Sequence, residues 1–285
     1  MTTSSAARAT ATADATTQDG FAADWQRWHE GHEARRADGH GFLAITGLYW
    51  LDKTPTEVPG IPGRWSTGEN GPVVDLAEGE SLRRVGLDEA DGDDAEDLTG
   101  TVALGVIPER GGVTLHAGDV AIEVARRGGN DIVRPRDPAH ATRVEYRGTP
   151  TFAPDPRWAV TGTYRAFASP RPTTVGAVVE GLEHVYDAPG EVVFDVDGGQ
   201  HTLTVFDGHE PGSLFALFTD ATSGVTTYAA NRSLAIAAPD ADGAVVLDFN
   251  RATNLPCAYT TFATCPLPPA ENRLPVAVEA GEKKP

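Results

Sequence analysis

Residues 192–206 read VVFDVDGGQHTLTVF, and this stretch decides the fold class. Two short runs of β-branched, aromatic and alternating polar residues flank Asp197-Gly198-Gly199. Glycine reaches positive φ without steric cost, so the triplet reverses the chain and the two runs pair as an antiparallel hairpin. Working outward, the same pattern recurs in residues 102–107, 113–116, 120–124, 143–146 and 158–167, each bounded by turn residues. Residues 214–218, LFALF, are apolar on both parities and suit a strand covered on both faces. Residues 225–236 and 245–250 return as further strands. The 31 glycines and 21 prolines favour many turns over long helices. No repeat at a solenoid or propeller period is visible. The expectation is a mainly β domain over residues 21–285, an antiparallel sandwich or barrel; a split into two β subdomains near residue 130 is the alternative.

The ends depart from this pattern. Residues 21–36, FAADWQRWHEGHEARR, place Phe21, Trp25, Trp28 and His32 at helical spacing with charges between them, which predicts a short N-terminal helical arm. Residues 42–51, FLAITGLYWL, read as a buried strand–turn–strand or a short helix. Residues 1–20 are Ala/Thr-rich with nothing to bury, and are expected to form a disordered tail without a secretory leader. No apolar run approaches a membrane span. The formal net charge is −18, which repels nucleic-acid phosphates and anionic membranes. A small-molecule or protein partner and a cytoplasmic location are therefore expected, with Cys257 and Cys265 as reduced thiols.

Familiar motifs fall away. Residues 88–97, DEADGDDAED, form an acidic loop, but placing Gly92 at the glycine of a calcium loop puts Leu87 and Leu98 on the first and last ligand positions. Residues 39–44, GHGFLA, match a dinucleotide fingerprint in letters only, because they follow a helix and no βαβ unit surrounds them. There is no Walker loop and no nucleophile elbow. His29-Glu30-Gly31-His32-Glu33 lacks the i, i+4 histidine pair of a zinc-protease helix; His29 and Glu33 share a face able to hold a metal, and an ordinary polar helix face is the plainer reading.

Residues 245–282, VVLDFNRATNLPCAYTTFATCPLPPAENRLPVAVEAGE, gather both cysteines with arginines, asparagines and prolines. Along the last strand Val245, Leu247 and Phe249 share one face, and Asp248 and Asn250 the other. Arg251 follows. Arg232 falls on the parity of Leu234 and Ile236, and an arginine on an apolar parity needs a carboxylate, a ligand or a bulge. Asp248 is its expected partner, since consecutive strands usually pair. Prolines make residues 254–269 a rigid extended cap that either covers a sheet edge or holds functional groups. A disulfide between the cysteines would contribute about 2–3 kcal/mol, a zinc site would need two more ligands, and buried structural thiols are the plainer reading. No metal or cofactor is implied.

The pattern DFNRA…NxPCAYT…ATCPLPPxENRLPVxVxAGEK resembles the signature of a bacterial family known as domain of unknown function 1684. The opening GFLAITGLYWL, Arg136-Asp137-Pro138 and residues 212–228 agree with it, so the resemblance spans residues 24–283. It implies a globular, mainly β protein with no established activity, and it marks Arg136, Asp137, Arg232, Asp248, Asn250, Arg251, Cys257, Cys265, Asn272 and Arg273. Asn231 and Leu255 depart from the family's usual glycine and proline.

Arginines beside amides suit a carboxylate- or phosphate-bearing ligand, because guanidinium binds such groups in a bidentate manner. The sequence therefore points to a small-molecule site walled by Arg232, Asn250, Arg251, Asn272 and Arg273, with Arg136 added by the resemblance. Asp248 is its candidate acid/base, for hydrolysis or isomerisation. The alternatives are a binding module without chemistry, and a structural motif whose polar groups satisfy irregular backbone.

Overall fold

The computed structural model describes residues 4–84 and 96–285. The chain divides into two compact units. Unit 1 comprises Met1–Ala34, Gly148–Ala258 and Cys265–Pro285; unit 2 comprises Arg35–Arg147 and Tyr259–Thr264. Residue 130 lies inside unit 2, and the chain leaves that unit after Arg147.

Helix α1 (Ser4–Arg36) opens the chain. It starts ahead of the aromatic periodicity and takes in residues 4–20, the stretch expected to be a disordered tail. Alanine, the strongest helix former, recurs at every second position from Ala7 to Ala15. Arg35 and Arg36 in the last turn complement the helix dipole. Among the described residues no helix is long and apolar enough to cross a membrane.

In unit 2 a 3-10 turn at Phe42–Ala44 leads into β1 (Tyr49–Trp50), β2 (Thr56–Glu57), β3 (Arg64–Gly68), β4 (Gly71–Asp75), β5 (Leu82–Arg84), β6 (Glu96–Leu98), β7 (Thr101–Ala103), β8 (Gly112–Ala117), β9 (Val120–Arg127) and β10 (Asn130–Arg136). They form two antiparallel sheets, ordered β1-β10-β9-β8-β5-β6 and β2-β3-β4-β7. Their core is Trp65, Val74, Leu115, Ile122, Val124 and Val133, all without solvent exposure. Of the acidic stretch 88–97, residues 88–95 lie outside the described part, and Glu96 and Asp97 open β6. Residues 143–146, read from sequence as a strand, are not one: α2 (Ala141–Val144) occupies this place. Asp137 causes the change. Its Oδ1 accepts the Ala139 N–H at 2.8 Å and its carbonyl accepts the His140 N–H at 2.9 Å, which turns the chain into a helical loop.

Unit 1 holds β11 (Ala159–Gly176), β12 (Glu183–Val196), β13 (Gly199–Asp207), β14 (Leu214–Phe218), β15 (Arg232–Ile236) and β16 (Ala244–Asp248) in one antiparallel sheet ordered β15-β14-β13-β12-β11-β16. The hairpin read from residues 192–206 is β12–β13, with Asp197 at φ 50° and Gly198 at φ 75° in its turn. β14 lies between β13 and β15, and four of its five residues are buried, so residues on both parities are covered. The sheet curls as a half-barrel around Phe194, Leu203, Phe218, Leu234, Leu247 and Phe249. Its two ends approach each other: Ser233 of β15 and Thr253, just beyond β16, exchange backbone hydrogen bonds of 2.8 and 2.9 Å. β16 pairs with β11 and not with β15, so the expected pairing of consecutive strands fails here.

Candidate functional site

The sequence-marked C-terminal residues separate into two kinds. The asparagines serve the backbone. β13 and β14 pair only at Phe206–Phe215 and Asp207–Leu214 and then splay apart. The side chain of Asn272 fills the gap: its Oδ1 accepts the Thr204 N–H, and its Nδ2 donates to Thr204 O and Leu217 O, all at 2.8 Å. A primary amide presents one acceptor and two donors, the set a missing strand neighbour would offer. Asn250 does the same for Asp155, accepting its N–H and donating to its carbonyl, each at 2.9 Å. Both asparagines are buried.

Arg232 is also consumed within the fold. It is 1% exposed and forms an ion pair with Asp220, which is itself buried. It donates further to Ala280 O and, at 3.1 Å, to Val278 O. Asp220, and not Asp248, is therefore its carboxylate. The signal lay in the turn residues 220–224: Asp220 Oδ1 accepts from both the N–H and the hydroxyl of Thr222, which leaves Oδ2 for Arg232.

Asp248 and Arg251 form a different group. Asp248 ends β16 and caps the 3-10 turn Phe249–Arg251. Its Oδ1 accepts from Asn250 N at 3.1 Å and Asn250 Nδ2 at 2.9 Å, and its Oδ2 lies 3.1 Å from Arg251 Nε. The Arg251 guanidinium sits 5.4 Å from the Trp28 ring centre and its side chain is 41% exposed. Among the described residues its two terminal nitrogens have no hydrogen-bond partner.

Helix α1 brings the rest. Trp25 donates to Asn250 O at 2.8 Å, fixing the helix against the 3-10 turn. One turn on, Trp28 stacks on His32 with ring centres 5.3 Å apart. His32 Nε2 lies 3.5 Å from Glu282 Oε1; the histidine side chain is 24% exposed and the carboxylate 2%. Glu282 Oε2 accepts the Asn254 N–H at 2.6 Å. Gly281 makes this placement possible. It sits at φ 74°, and a Cβ there would lie 2.5 Å from Ala252 O. Trp28, His32 and Glu282 were not assigned to the site from sequence. The aromatic spacing of α1 was visible, but its partner lies at the opposite end of the chain.

Arg273 is exposed, and its backbone bridges Thr219. Arg136 belongs to unit 2, where it joins Glu123 and His40 O. Arg273 pairs with neither Asp248 nor Arg251. Glu33 Oε2 accepts the Thr149 N–H at 3.3 Å, and no group of three metal-binding side chains occurs among the described residues.

Cys257 and Cys265 form no disulfide, and the Cys257 N–H lies 3.3 Å from Cys265 Sγ. The hydrogen bond from Cys265 lowers the Cys257 pKa against the opposing effect of burial. Burial and the nearby Cys257 raise that of Tyr228, whose hydroxyl donates to Cys257 O at 2.8 Å.

No match is found among curated proteins. Among solved structures, the chain resembles the solution NMR structure of an uncharacterized protein from Haloarcula marismortui, with 33% identity over 50% of this chain and 79% of that one, at a TM-score of 0.42. Residues 144–283 match the model of the family described as protein of unknown function (DUF1684), and the chain belongs to that family.

Proposed function

We propose that this DUF1684 member binds a carboxylate- or phosphate-bearing small molecule on unit 1, at Arg251, Trp28 and His32. Arg251 carries the reading. It is held by Asp248, lies against an indole, is 41% exposed, and keeps two terminal nitrogens without a hydrogen-bond partner among the described residues. Guanidinium in that setting is preorganised for an anion. Arg232, Asn250 and Asn272 are committed to the fold, and Arg136 and Arg273 stay outside this site.

Asp248 acts in this reading as a positioning residue, since both its oxygens are engaged by Asn250 and Arg251. Proton transfer falls to His32. Its imidazole reaches solvent while the buried Glu282 orients it, an arrangement suited to general acid/base work in hydrolysis or isomerisation. The second reading is a binding module without chemistry, and the 3.5 Å His32–Glu282 separation, long for a hydrogen bond, favours it.

A thermal-shift screen of carboxylates and phosphorylated metabolites tests the site. A ligand that stabilises the wild type should bind Arg251→Gln about ten- to a hundredfold more weakly, as for loss of a charged hydrogen bond of roughly 1.5–3 kcal/mol. Unchanged affinity in that variant, or no stabilising anion at all, overturns the proposal. His32→Gln separates the readings: an enzyme keeps binding and loses turnover, whereas a binding module turns over nothing in either form.

A further inference from the structure

Cys257 and Cys265 lie eight positions apart in the chain and meet in space on unit 1. Neither belongs to the site above. Each is held by its own backbone anchors. Cys257 sits in the 3-10 turn Pro256–Ala258, where the Ala258 N–H donates to Leu255 O at 3.0 Å and the Tyr228 hydroxyl donates to Cys257 O at 2.8 Å. Cys265 O accepts the Val178 N–H at 3.0 Å, just beyond β11. The next residue, Pro266, bridges Ala177 and accepts from Asn231 Nδ2 at 2.5 Å. Pro256 precedes one cysteine and Pro266 follows the other, so φ is fixed beside both. Proline at 266 also confines Cys265 to extended backbone.

These anchors hold the Cys257 N–H 3.3 Å from Cys265 Sγ, and the two thiols hydrogen-bond to each other. Hydrogen bonds from Cys265 and, more weakly, from Tyr228 favour the Cys257 thiolate against the opposing effect of burial. Exposure separates the pair: Cys257 is half-buried, whereas Cys265 is 7% exposed. A small oxidant therefore reaches Cys257 first and finds Cys265 already beside it. Thiols that only fill space need neither contact between their side chains nor anchored backbone on both sides.

We infer that Cys257 and Cys265 form a paired oxidation site, in which Cys257 reduces a hydroperoxide and Cys265 closes the product to an intrachain disulfide. The Cys257 thiolate attacks one peroxide oxygen. An S–O bond forms, the O–O bond breaks, and for hydrogen peroxide the departing hydroxide takes up the proton Cys257 released and leaves as water. The Cys265 sulfur then attacks the sulfur of the Cys257 sulfenic acid. The S–S bond forms, the S–O bond breaks, and the second hydroxide leaves as water with the Cys265 proton. Two thiols and one peroxide give one disulfide and two waters. The bond ties the 3-10 turn Pro256–Ala258 to the segment that follows β11.

The test is intact mass spectrometry of the reduced full chain after equimolar hydrogen peroxide, with remaining thiols alkylated under denaturant. The expected product is a monomer lighter by two hydrogens that takes up no alkylating agent and is restored by dithiothreitol. Cys265→Ser should stop at the sulfenic acid and gain a dimedone adduct on Cys257 that the wild type lacks. Cys257→Ser should lose its remaining thiol about tenfold or more slowly than the wild type loses its pair. The wild-type measurement decides the matter even where a variant does not fold. Two alkylated thiols, a disulfide-linked dimer, or sulfinic acid in place of the disulfide overturns the inference. So does a folded Cys265→Ser chain without the adduct, or a Cys257→Ser chain that reacts as fast as the wild type.

Discussion

At the scale of single residues, side chains in this protein do work that backbone usually does. Asn272 replaces a strand neighbour between Thr204 and Leu217. Asn272→Ala should strand three buried backbone groups and cost about 3 kcal/mol or more, read from urea unfolding. Asp220→Ala leaves Arg232 charged and buried, and about 3–5 kcal/mol of destabilisation is expected in the same measurement. The cysteines differ in a way that mass spectrometry can follow. Cys257 is half-buried with a lowered pKa and Cys265 is 7% exposed, so iodoacetamide should modify Cys257 first. The sequence revealed that Arg232 faces an apolar interior. It concealed the partner, because strand adjacency in the chain favoured Asp248 while β15 and β16 occupy opposite ends of the sheet order. His32 and Glu282 were equally hidden: 250 positions separate them and neither lies in a local motif that names the other.

At the scale of elements, register decides what a charge means. Burial alone would raise the Glu123 pKa, but Arg134 and Arg136 outweigh it and bring it down to about 2. A depressed carboxylate contributes stability above its unfolded pKa and loses it as pH falls through the folded value. The Glu123 contribution is therefore complete above about pH 4.5 and gone near pH 2, with a full size of roughly 3 kcal/mol. Glu123→Gln should consequently be less stable than wild type at pH 7, and the gap should narrow at pH 3, measured by denaturant unfolding at both values. Hairpins such as β12–β13 were legible because glycine chemistry specifies the turn locally. The Glu123 cluster was not, since residues 123, 134 and 136 meet only once β9 and β10 are aligned. Residues 143–146 misled for the opposite reason: the charged–apolar alternation Arg143-Val144-Glu145-Tyr146 suits a strand, yet Asp137 turns the chain into α2 before one can form.

At the scale of the whole molecule, the net charge of −18 works against compactness through self-repulsion. Added salt screens it, so melting should move upward by several degrees between about 20 and 500 mM sodium chloride, as followed by circular dichroism. The mainly β architecture was legible, and a split near residue 130 stood as the alternative, but the return of the six-residue segment Tyr259–Thr264 to unit 2 carries no local signal. Tyr259–Thr264 belongs to unit 2, and there Tyr259 packs on Phe42 and Tyr146 beneath Arg36. The family-matched stretch 144–283 thus carries within it a tongue whose aromatic seat is largely built by residues upstream of it. A shortened gene encoding that stretch alone would bare Tyr259 to water with Phe42 and Arg36 gone, and a free-standing version would need a polar residue there. The two halves of this polypeptide are interleaved, so no single cut yields both of them whole.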